Sequence, residues 1–102
     1  MIKDLKTLVK YHDGQIASRS LSKTLEVANS ITLYAMAKGE SISRESSHNA
    51  KLIYVLEGNL QLKTDSATVN LTPDNIETIP AQMLHDFLVL EACKFLQIEL
   101  LV

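Results

Sequence analysis

The chain has a single cysteine, Cys93, no tryptophan, three tyrosines and two phenylalanines in 102 residues. One cysteine cannot cross-link the chain to itself, which fits a reducing compartment. No basic cluster flanks Cys93 in sequence, so it reads as a buried strand thiol rather than a reactive one. Five aromatic rings are too few for a base-stacking surface. Charge of one sign is also missing: ten Lys and Arg face twelve Asp and Glu, a net of -2. No basic stripe exists for nucleic acid, which is not an expected partner. Long apolar runs are absent too. The longest, Leu52 to Leu56, is far too short to span a bilayer. The segment Met1 to Lys6 carries an acid and has no continuous apolar stretch, so it does not read as a secretory leader. No membrane partner and a cytoplasmic location are the expectations. There is no internal repeat, no low-complexity segment and no sign of a second domain.

What is present is a globular composition, 46% apolar, in a length that makes one domain with a modest core. Ile2, Leu5, Leu8 and Val9 recur at helical spacing, which predicts a short helix over residues 3–11, or an irregular arm. Asp13-Gly14 ends that segment with a turn. From there the pattern is of short strands. Residues 30–37 and 51–57 are rich in β-formers, and Gly58-Asn59 reads as a hairpin turn. Leu60 and Leu62, then Ala67, Val69 and Leu71, alternate with polar residues. Thr72-Pro73-Asp74-Asn75 is a turn, and residues 76–79, 84–90 and 94–102 complete the strands. Residues 41–47 contain four serines and read as a solvated loop. Strands this short and regular suggest an all-β barrel or sandwich. Residues 1–29 form an arm and first strands of the same domain as a barrel over 30–102.

The stretch from Gly39 to Gly58 resembles the first motif of the cupin superfamily: glycine, five residues, His-x-His, three or four residues, Glu, six residues, glycine. Both glycines stand at the required separation, and Tyr54-Val55-Leu56-Glu57-Gly58 matches a common family ending. The second motif, glycine, five residues, Pro-x-Gly-x-x-His, is matched at Pro80 and His85. Asp74 and Gln82 stand where its glycines would be. The arm Tyr11 to Ser18 also resembles that of small stand-alone bacterial cupins of the conserved-barrel type. The resemblance covers roughly residues 30–100. It implies a double-stranded β-helix, or jelly-roll barrel, with a pocket at its open end and often a homodimer.

The resemblance places the family's four metal-ligand positions on Glu45, Ser47, Lys51 and His85. Only His85 is retained. Ser47 is a poor ligand, and Lys51 puts an ammonium where a carboxylate would be, which repels a divalent ion. The family set carries about -1, whereas this set carries about 0 at neutral pH. An ion pair between Glu45 and Lys51 beside His85 is the expected replacement. By strand alternation Ile53, Val55, Phe87 and Val89 would line an apolar cavity below it. The leading expectation is thus a metal-free module binding an unknown small molecule, with no cofactor. The plainer alternative is a packed site: Lys51 snorkelling to the mouth, Glu45 solvated and His85 bonded to backbone. A metal-dependent dioxygenase or isomerase would instead need Glu45, His48 and His85 to converge on iron, zinc or manganese. A metal-free isomerase or epimerase would use His85 as its catalytic base. His12 and Arg44 read as exposed, with Arg44 able to reach over the mouth. Tyr34, Tyr54, Met36 and Met83 read as packing residues. The apolar C-terminus and the strand edges favour a homodimer.

Overall fold

The computed structural model describes residues 1–101. Val102, expected at the end of the last strand, lies outside the described residues. In chain order the elements are a 3-10 turn at Leu5–Leu8, β1 at Ile16–Ser20, α1 at Ser22–Leu25, and β2 at Ile31–Met36. Then come β3 at Ser41–Glu45, β4 at Ala50–Thr64, β5 at Thr68–Leu71, β6 at Ile76–Ile79 and β7 at His85–Leu100. All pairings are antiparallel.

The two long strands organise everything else. The first half of β4 pairs with the second half of β7, between β6 on one side and β2 on the other; β1 then borders β2. The second half of β4 pairs with the first half of β7, between β5 and β3. Two sheets therefore share β4 and β7 as common members and close on each other as a jelly-roll barrel.

The expected hairpin at Gly58-Asn59 is corrected by this arrangement. The chain does not reverse there; β4 runs straight through as one strand of 15 residues. Register shifts at Val55/Glu57, Glu57/Asn59 and Asn59/Leu60 mark a bulged corner where β4 passes from one sheet to the other. Gly58 sits at φ +88, and a Cβ there would lie 2.0 Å from the Ala92 carbonyl oxygen and 2.6 Å from Cys93 Cα. The glycine is required because the backbones of β4 and β7 touch at the corner.

Three other expectations change. The helix over 3–11 shrinks to the four-residue 3-10 turn. Asp4 makes no side-chain cap, and Val9 is already extended at φ -133 and ψ 150. Its apolar residues instead cover the outer face of the sheet, where Val9, Leu21, Leu33 and Ala35 are buried and Ile2, Leu5 and Leu8 pack on them. The serine-rich segment is not a loop throughout: its first five residues are β3, paired with β7 and exposed at Ser41, Ser43 and Arg44. Ser22 to Leu25 forms a helical turn that no periodicity announced. Asp13-Gly14 is a turn, as expected.

The inner core is a single packed cluster that includes Met36, Ile53, Val55, Leu60, Phe87 and Phe95. Alternation along β2 separates the two clusters, with Tyr34 and Met36 facing inward and Leu33 and Ala35 outward. Among the described residues, no helix is long and apolar enough to cross a membrane.

Candidate functional site at the barrel mouth

Glu45, Lys51 and His85 come together at one end of the barrel, and each arrives by a different local device. His85 opens β7, opposite both Glu45 of β3 and Thr64 of β4. Glu45 reaches that register only through an irregularity. Ile42 faces Phe87, so strict alternation would set Arg44 opposite His85, but one extra residue between 42 and 45 substitutes Glu45. Arg44 points away and forms an exposed ion pair with Asp65. Lys51, the second residue of β4, stands between Ile79 of β6 and Glu99 of β7. Directly paired residues share a face, so Lys51 and Glu99 lie on the same side of the sheet.

His85 is 1% exposed. Its Nδ1 lies 3.0 Å from the Met83 carbonyl oxygen. A carbonyl only accepts, so Nδ1 carries the hydrogen and donates it, leaving the Nε2 lone pair free in the neutral ring. Nε2 is buried and has no hydrogen-bond partner among the described residues. It lies 3.7 Å from Glu45 Oε1, and the Lys51 ammonium lies 3.4 Å from the same oxygen. One carboxylate oxygen thus stands between an ammonium and an imidazole nitrogen. Both distances exceed the roughly 2.7–2.9 Å of a tight charge-assisted bond. The Lys51 side chain is 10% exposed and that of Glu45 45%, so water reaches the pair from the carboxylate side.

Beneath these groups lies an aromatic floor. Phe87 meets the His85 ring edge-on at 5.5 Å between centroids, stacks on Phe95 at 5.9 Å, and Tyr34 stacks on Phe95 at 4.9 Å. From the sequence Tyr34 reads as an ordinary strand residue, though one facing the pocket would favour acid–base chemistry. Burial, and then the field of the Glu45 carboxylate, raise its phenol above the usual tyrosine range, which places its hydroxyl within the electrostatic reach of the site. The missed signal was parity: Tyr34 shares the inward face of β2 with buried Met36.

Among the described residues, the side chains expected to line an apolar cavity fill the interior instead. Ile53, Val55 and Phe87 are 0, 0 and 1% exposed and belong to the packed core, because side chains this large fill so small a barrel. The site is a polar cluster on top of a filled interior. A hollow of about 220 Å³ is lined by Leu62, Thr64, Val69, Glu77 and Met83, among others. Ser47 is half-buried, and its carbonyl accepts a hydrogen bond from Gln82 N at 2.8 Å. His48 is exposed in a bend, as His12 is in its turn, and neither joins the cluster.

The donor set does not suit the divalent metal that the family resemblance implies. Among the described residues, no group of three or more His, Cys, Asp or Glu side chains gathers to hold an ion. The two donors that do face each other, Glu45 and His85, have a lysine ammonium beside their shared oxygen.

No protein-family model matches the sequence, and comparison with curated proteins gives no match either. Solved structures do match. A conserved protein of unknown function from Streptococcus pyogenes superposes with a TM-score of 0.87 at 25% identity, covering 98% of this chain and 86% of its own. A cupin superfamily protein from Desulfitobacterium hafniense DCB-2 gives 0.83 at 26% identity, over 94% of this chain and 86% of that one. This chain is a small cupin. A cupin 2 conserved barrel domain protein from Leptotrichia buccalis agrees, with a TM-score of 0.82 at 25% identity, over 94% of this cupin but 46% of that longer chain. The superposition with the Streptococcus pyogenes structure, over 98% of this chain, takes in the N-terminal arm.

Proposed function

We propose that this cupin is a metal-free binding module for a small polar molecule, held at the barrel mouth by Glu45, Lys51 and His85. One observation carries the reading: the His85 Nε2 atom is buried without a hydrogen-bond partner among the described residues. Leaving a buried polar atom unsatisfied costs about 1–3 kcal/mol, and a ligand that donates a hydrogen to Nε2 recovers it. Lys51 adds a donor for a ligand oxygen, and half-exposed Glu45 an acceptor for a ligand hydroxyl. The matching chemistry is a hydroxyl next to an oxyanion or carbonyl, as in small hydroxy acids and sugars. The test is a thermal-shift and NMR screen of such compounds. Binding that disappears in both His85→Ala and Lys51→Ala supports the reading. Binders indifferent to both substitutions, or no binder in either compound class, would remove it.

A second reading is favoured by Tyr34. An imidazole anchored through Nδ1 with its Nε2 left without a partner is placed to act as a base, and an un-ionised phenol on the same floor is a hydrogen donor. Together they suit metal-free isomerisation or epimerisation of a hydroxy-carbonyl compound. Uptake of solvent deuterium into a bound compound, abolished by His85→Ala, would show it. Binding without exchange would leave the module reading alone.

A further inference from the structure

We infer that the Lys51 ammonium is a resident cation which keeps divalent metals out of this barrel, so that one substitution at position 51 converts the site into a metal centre. The inference does not depend on the small-molecule reading, since it concerns only the donor atoms and the charge among them.

The geometry carries it. Glu45 Oε1 lies 3.4 Å from Lys51 Nζ and 3.7 Å from His85 Nε2. Two metal-type donors therefore already face one another, and one of them, Nε2, is buried without a hydrogen-bond partner among the described residues. The second ring nitrogen is anchored on the Met83 carbonyl, the kind of outer bond that orients ligating histidines. What the cluster lacks is a third donor, and a cation already sits where one would have to be. An ammonium and a divalent ion cannot share so small a volume, because like charges at the same carboxylate oxygen repel even where water reaches it. The same positive charge offsets the Glu45 carboxylate, while Glu99 stands opposite Lys51 in the strand register.

Replacing the ammonium by a carboxylate changes both conditions at once. Lys51→Glu removes the repulsion and brings a third donor to Glu45 and His85. Two carboxylates with one imidazole form a set that suits manganese, zinc or iron(II). It also sets a second carboxylate beside Glu45, so the variant should be less heat-stable without metal and regain stability with it. Wild type should show neither change.

The experiment titrates Zn²⁺ and Mn²⁺, separately, into metal-stripped wild type, Lys51→Glu and Lys51→Glu/His85→Ala. Bound metal per chain is read by elemental analysis after desalting, and melting temperature is followed with and without metal. The expected result is no stoichiometric metal on wild type and one equivalent on Lys51→Glu, accompanied by a rise in melting temperature. Both should be lost in the double variant. One equivalent on wild type, removed by His85→Ala, would overturn the inference. So would a folded Lys51→Glu protein that takes up no metal. If Lys51→Glu does not fold, Lys51→Gln substitutes, since it removes the charge and supplies a neutral oxygen. It should bind at least tenfold more tightly than wild type, and equal affinity would overturn the inference.

Discussion

At the residue scale, Lys51 and Cys93 show how burial and solvent access set the cost of a polar group. Lys51 is 8% exposed, yet the partner it would leave behind is not buried with it. Breaking a fully buried ion pair costs about 3–5 kcal/mol, because a bare charge remains in low dielectric. Here Glu45 is nearly half exposed and water can replace the ammonium, so the pair behaves more like a surface one. Lys51→Met should therefore change the unfolding free energy by no more than about 1 kcal/mol in urea titration. A loss several times larger would mean that Glu45 is not hydrated as its exposure indicates. Cys93 is the opposite case. It is 0% exposed, and burial first, then the Glu57 carboxylate, push its thiol up to about 12. It should resist thiol reagents in the native state at pH 8 and be labelled at the rate of unfolding. Rapid native labelling would contradict its burial.

At the scale of elements, backbone conformation separates glycines that are required from glycines that are convenient. Gly58→Ala combines a positive φ with a Cβ pressed into the backbone of β7, and should cost roughly 2–4 kcal/mol. Gly39→Ala has the same type of φ but open space around it, and should cost only about 1–2 kcal/mol. Urea midpoints of the two variants make the comparison. The second motif offers the converse. Asp74 and Gln82, which stand where the family pattern has glycine, adopt φ values of 71 and 69. The left-handed turns have been kept and the residues that ease them have not. Asp74 tolerates this and accepts a hydrogen bond from the Tyr54 hydroxyl. Gln82 uses its backbone N–H, bonded to Ser47 O, which glycine would also supply. Gln82→Gly should therefore stabilise the protein by up to about 1 kcal/mol. A destabilised variant would show that the Gln82 side chain has a role the backbone does not reveal.

For the whole molecule, several buried acids respond to alkali in the same direction. Cys93 is raised from 9.0, and Tyr11 and Tyr34 are raised from 10.0, each chiefly by burial. A group whose folded pKa is raised holds its proton more tightly when folded. Its contribution is complete below the unfolded value and is lost as pH rises toward the folded one. Stability should accordingly be flat from pH 7 to 8 and fall progressively from about pH 9 to 12, which urea midpoints across that range would record. Association is the other property at this scale. We propose a homodimer, because β1 is a sheet edge with Ile16 exposed and Leu88 and Ile76 also face solvent. Light scattering across a concentration series should give twice the chain mass; a monomer throughout would remove the proposal.

Much of the fold was legible in the chain because strand alternation and turn chemistry are local. Pro80, His85, Gly39 and Gly58 stood at family spacing, and the parity of residues 51, 53 and 55 fixed which side chains face inward. Long-range consequences were not legible. Gly58-Asn59 carries a local turn signal, but a corner in β4 and a hairpin differ only in what β7 does thirty-odd residues later. The site divides in the same way. That an acid, a lysine and a histidine stand at the family's ligand positions is what the motif resemblance implies. That Glu45 rather than Arg44 faces His85 depends on one bulge, and Tyr34 joins them from a separate strand. Whether the barrel is hollow was likewise decided only by packing, since volume is filled by all the inward side chains together and no single stretch of chain encodes it.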